Sequence, residues 1–125
     1  SVDLWRGSLL TSSDAAGMPG AGGTLFFAIT CLNGYYQDPL LDSLAESLVK
    51  AEHGGAAAVW ASSGMCAADE QLVMNLELFR LIFGGDSNGE PLTFGEAALK
   101  AKSVINDSDV RRTYILFGDP AMRLR

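Results

Sequence analysis

An α/β fold built on a small sheet of about three strands is predicted by three observations. Short apolar runs are bounded by glycine, helix-period apolar stripes lie between them, and the two alternate along the chain. The runs are residues 24–30 (TLFFAIT), 56–62 (AAAVWAS) and 112–117 (RTYILF).

Residues 1–23 are rich in Gly, Ser and Ala and read as an irregular lead-in. The first run, between Gly22-Gly23 and Gly34, has the β-branched and aromatic content of a strand buried on both faces. Asp38 and Pro39 then suit the N-cap and first position of a helix. Its apolar stripe is Leu40, Leu41, Leu44, Leu48 and Val49, and Gly54-Gly55 ends it. In the second run, alanines allow a helix to sit close on the sheet.

A helix is predicted over 68–83, with Leu72, Leu76, Phe79, Leu81 and Phe83 spread around it. Residues 84–89 (GGDSNG) form a surface loop. Thr93 and Glu96 are spaced as a capping box for a helix reaching about Ile105. The third strand stops at Gly118-Asp119-Pro120, where Asp119 reads as a turn residue rather than a catalytic acid. The first crossover should be a right-handed βαβ unit. Both outer strands look as apolar as central ones, so an edge is expected to be covered by something outside the chain.

Composition narrows the function. The 125 residues suffice for one domain with a real core. A net charge of -6 argues against nucleic acid, because phosphate binding needs clustered Lys and Arg. No apolar run approaches the roughly 20 residues that span a bilayer. Two cysteines and one histidine make neither a disulfide scaffold nor a structural zinc set, and no cofactor or metal is expected.

In an α/β sheet, chemistry gathers beyond the carboxyl ends of the strands. Cys31 holds that position on the first strand, and the turn-prone Leu32-Asn33-Gly34 would present its thiol. A cysteine nucleophile acts as thiolate and needs a base nearby. His53 is the only histidine. A helix of about 13 residues, roughly 20 Å long, should carry it to the opposite edge of the sheet. There it complements a helix C-terminus, and any base for Cys31 comes from elsewhere. Cys66 falls at the same edge as Cys31. It lines a pocket, pairs with Cys31 in redox chemistry, or is an incidental loop thiol, the commonest of the three.

Five motifs in order carry a more specific resemblance: Thr30-Cys31-Leu32-Asn33-Gly34, Ser43-Leu44-Ala45-Glu46, residues 54–64 (GGAAAVWASSG), residues 93–97 (TFGEA) and residues 116–120 (LFGDP). From about Trp5 onward the chain resembles the C-terminal half of gingipain-type peptidases, family C25. The resemblance implies a caspase-like three-layer sandwich, of which residues 1–125 hold only the C-terminal part of the sheet. It implies a Cys–His dyad that cleaves peptide bonds through a thioester, with Cys31 as nucleophile and its backbone N–H as an oxyanion donor. The family's histidine precedes a Trp like Trp5, so it is expected upstream of Ser1, in an N-terminal segment or companion chain. Ser62, Ser63, Gly64 and Met65 would wall the pocket for the residue before the scissile bond; Ser62 and Ser63 read equally well as turn residues.

The partner expected is therefore a peptide or protein substrate. The alternative is a non-catalytic caspase-like module of a larger secreted or surface protein, a location that family analogy alone suggests.

Overall fold

Side chains alternate across a strand, and here that alternation divides the core in two. In the strand Ala58–Ser62 (β2), Trp60 points into one cluster while Val59 and Ala61 point into the other. All five residues of β2 are buried, as a central strand requires. The computed structural model describes residues 9–18 and 23–124.

The remaining elements, in chain order, surround β2. They are α1 (Ser12–Gly17), β1 (Leu25–Ala28), α2 (Leu44–Lys50), α3 (Ala68–Gly84), α4 (Phe94–Ser103), α5 (Ser108–Thr113) and β3 (Tyr114–Gly118). The sheet order is β1-β2-β3. β1 runs parallel to β2 in the register Leu25↔Ala58 to Ala28↔Ala61. β3 returns antiparallel, with Ser62 opposite Tyr114.

On one face, Trp60 and Tyr114 pack with Met74, Leu78 and Leu81 of α3, Ala97 and Ala101 of α4, and Val110 of α5. On the other, Val59 and Ala61 pack with Leu44, Ala45 and Leu48 of α2 and Ala15 of α1. The result is a three-layer α/β sandwich whose outer strands are only half-buried.

The start of the first crossover helix differs from the sequence expectation. Asp38 does not cap it; its carboxylate accepts the N–H groups of Leu40 and Leu41 at 2.9 and 3.1 Å and holds a separate turn. The helix begins at Ser43, whose hydroxyl accepts from Glu46 N while the Glu46 carboxylate accepts from Ser43 N. That reciprocal box satisfies two orphan donors at once, and Leu40 and Leu41 are left exposed. The helix has seven residues and its C-cap is Ala51. Gly55 lies in the turn beyond it at φ +80°, where an added Cβ would stand 2.1 Å from the Leu48 carbonyl oxygen.

Two short helices also depart from the sequence expectation. α1 falls within the expected lead-in and has its own Thr11–Asp14 capping box. α5 occupies the predicted start of the last strand, capped by Asp107, so β3 begins only at Tyr114. The Trp5 region lies outside the described residues.

α3 matches its predicted span, but Leu72, Leu76 and Phe83 are exposed and its buried face includes the amides Gln71 and Asn75. Among the described residues no helix is long and apolar enough to cross a membrane.

Candidate active site

Because β1 and β2 are parallel, the loops leaving both emerge at one edge of the sheet. The start of β3 is brought to the same edge by its antiparallel course. Cys31 lies three residues beyond the end of β1, and Cys66 four beyond the end of β2.

The two loops are tied together through the backbone. Leu32 N donates to Gly64 O at 3.3 Å, and Gly34 N donates to Ser62 O at 2.9 Å. Asn33 O accepts from Ala45 N at 2.9 Å, which fastens the Cys31 loop to the first turn of α2. Thr30 Oγ1 donates to Asn33 Oδ1 across the turn. Leu32 adopts φ +67°, a left-handed conformation that costs a non-glycine residue about 1–2 kcal/mol. The strain sits beside the thiol and is held by these ties, a pattern common at functional sites.

Ser62 braces the opposite loop. Its buried hydroxyl donates to Gly64 O at 3.0 Å and accepts from Gly64 N at 3.3 Å. Thr113 Oγ1 lies 3.2 Å from the same oxygen, and Thr113 O accepts from Ser63 N at 2.7 Å. Gly64 packs so closely on Thr113 that a Cβ would meet its Cγ2 at 2.6 Å. Of the four residues expected to wall a pocket, Ser62 and Ser63 face the interior, Gly64 is half-buried and Met65 is exposed.

Behind this loop lies a buried polar chain that periodicity could not reveal. Gln71 Nε2 donates to Cys66 O at 3.1 Å, and Gln71 Oε1 accepts from the Tyr114 hydroxyl at 2.8 Å. Asn75 Nδ2 donates to Gln71 O at 2.7 Å and its Oδ1 accepts from Trp60 Nε1 at 3.0 Å. Every buried side-chain polar atom among the described residues has a partner. Gln71 thereby joins the core to the loop that carries Cys66.

The sulfurs of Cys31 and Cys66 are 3.8 Å apart, and the Cys31 thiol also points at Cys66 O, 3.6 Å away. Burial pushes the Cys66 thiol up to about 11, against a smaller lowering by the Ser62 hydroxyl. Cys66 is therefore a protonated thiol at neutral pH.

His53 is exposed in the turn after α2, at the edge where β2 begins. The five residues of β2 put roughly 16 Å between that edge and the cysteine edge. The sequence-based separation of His53 from Cys31 holds, although through strand length rather than through a long helix. A concavity of about 520 Å³ between α4 and β3, lined by Trp60, Leu99, Lys102 and Leu116, includes no residue of the two cysteine loops. No cluster of three or more His, Cys, Asp or Glu suited to a metal ion occurs among the described residues.

The three-layer α/β sandwich thus carries two neighbouring thiols at the carboxyl edge of its sheet. The chain belongs to peptidase family C25, whose profile matches residues 1–125. It is similar to the crystal structure of gingipain R, an Arg-specific cysteine proteinase, with a TM-score of 0.83 at 20% identity. That likeness covers 100% of this chain and 31% of the gingipain chain, so the present chain spans less than a third of it. No curated protein matches the chain by sequence.

Proposed function

We propose that residues 1–125 are the thiol-bearing, C-terminal portion of the catalytic domain of a cysteine endopeptidase, with Cys31 as nucleophile. The observation that carries this reading is the position of Cys31: at the carboxyl edge, on a strained turn, in a chain of family C25. The thiolate attacks the scissile carbonyl carbon, and the Cys31 N–H stabilises the oxyanion that develops. The leaving amine departs with a proton, a thioester remains, and water hydrolyses it.

The base is a histidine outside this chain, on an N-terminal segment or companion chain. This is supported by His53, the chain's only histidine, lying at the opposite edge. Gly64 and Met65 offer the substrate-facing wall, with Ser62 and Ser63 bracing it from behind. The domain formed by residues 1–125 is completed by that upstream segment.

The test is peptide hydrolysis by the full-length protein before and after Cys31→Ala. Loss of the nucleophile should lower kcat by at least about 10³-fold. Unchanged hydrolysis in Cys31→Ala overturns the assignment and favours a non-catalytic module.

A further inference from the structure

Two free thiols at one sheet edge, with sulfurs 3.8 Å apart, are closer than the chemistry of a single nucleophile requires. We propose that Cys31 and Cys66 form a reversible disulfide, with Cys66 resolving the oxidised form of Cys31 that a hydroperoxide produces. The disulfide rests on sulfur geometry alone; its effect on activity rests on the nucleophile reading above.

A disulfide bond measures about 2.0 Å, so the sulfurs must close by roughly 1.8 Å. Rotation of two half-buried side chains can supply that. Their loops are already held side by side by the Leu32–Gly64 and Gly34–Ser62 backbone bonds. Gln71 fixes the Cys66 carbonyl from the other side. Little further ordering is needed to bring the pair together.

The steps balance. Cys31 as thiolate attacks a peroxide oxygen; an S–O bond forms, the O–O bond breaks, and the departing oxygen takes up a proton. Cys66 then attacks the Cys31 sulfur; the S–S bond forms, the S–O bond breaks, and hydroxide leaves with the Cys66 proton as water. Two electrons pass from the thiols to the peroxide, and a dithiol returns them by exchange. Burial keeps the Cys66 thiol protonated at rest, so it must give up its proton as it attacks, and that proton leaves with the hydroxide as water.

The test treats the full-length protein with hydrogen peroxide, quenches with iodoacetamide and digests with trypsin. Cleavage after Arg6, Lys50 and Arg80 places Cys31 and Cys66 in separate peptides, 7–50 and 51–80. The expected product is these two peptides cross-linked, about 2 Da lighter than their sum and separated again by dithiothreitol. Recovery of Cys31 as sulfinic acid beside alkylated Cys66 overturns the proposal.

In Cys66→Ser and Cys66→Ala, excess peroxide should drive Cys31 past the reversible stage. The activity that dithiothreitol restores should then fall roughly tenfold relative to the parent. Full restoration in both variants also overturns the resolving role. A cross-link in a protein whose hydrolysis survives Cys31→Ala sinks the nucleophile reading alone. Hydrolysis that requires Cys31, with no cross-link, sinks the disulfide alone.

Discussion

Gln71→Met removes both amide bonds of Gln71 while keeping a side chain of similar length and shape. Gln71 is buried, and it links Tyr114 in β3 to the Cys66 carbonyl beyond β2. Each lost neutral hydrogen bond is worth about 0.5–1.5 kcal/mol net, and an orphaned buried hydroxyl costs about 1–3 kcal/mol more. Asn75 lies close enough to the Tyr114 hydroxyl to relieve part of that penalty. The expected loss of local stability is therefore about 2–4 kcal/mol.

Hydrogen exchange in the full-length protein, read on peptides covering β2 and β3, reports this directly. At tenfold per 1.4 kcal/mol, exchange of the most protected amides should accelerate roughly 30- to 700-fold. Adding Tyr114→Phe removes the orphan, so the double variant should be about 1–3 kcal/mol more stable than the sum of the singles. Exchange that changes by less than about threefold in Gln71→Met, with no coupling to Tyr114→Phe, would refute the network as a source of stability.

Further outcomes are expected at Gly64, at Ser43 and at Cys66. Gly64→Ala should destabilise by about 1–3 kcal/mol, because its Cβ meets Thr113 Cγ2 at 2.6 Å, and Thr113→Ser should restore part of the loss in thermal denaturation. Ser43→Ala should cost about 1 kcal/mol in the same assay, whereas Asp38→Ala should leave the helix itself intact by circular dichroism. Alkylation of Cys66 should keep rising with pH toward about 11 instead of levelling near the ordinary 9.0. The unfolded thiol loses its proton first, so the Cys66 contribution to stability is full below about 9 and declines as pH climbs to about 11. Denaturation of parent and Cys66→Ser across that window checks the sign, and parallel pH profiles would contradict it.

Two local signals in the sequence competed over the first crossover helix. Asp38-Pro39 and Ser43-Leu44-Ala45-Glu46 are both lawful helix starts, but only the second satisfies two backbone donors reciprocally. The same motif type caps α4 at Thr93–Glu96, as its spacing predicts, and the box at Ser43 is legible by the same rule. Asp107 likewise fits an N-cap, but the β-prone run after it hid a helix of six residues. On α3, Leu72, Leu76 and Phe83 face outward while Leu81 is buried, and the buried side also carries two amides that serve hydrogen bonds to other elements. Periodicity records polarity, and it cannot show that a polar group has found a buried partner.

The sequence by itself determined the α/β class, the three apolar strands, the span of α3 and the motif order that marks family C25. Those depend on local composition and spacing, which a linear chain carries in full. It also placed Cys31 near a strand end and His53 at the opposite edge, the latter from a longer helix than the seven-residue α2 that forms. Only the tertiary structure decided that β1 and β2 run parallel with β3 antiparallel, and so which loops share an edge. The 3.8 Å approach of Cys31 and Cys66 follows from that arrangement. It is a contact between residues 35 positions apart, set by sheet register and by buried bonds from Ser62 and Gln71, and no local rule specifies it.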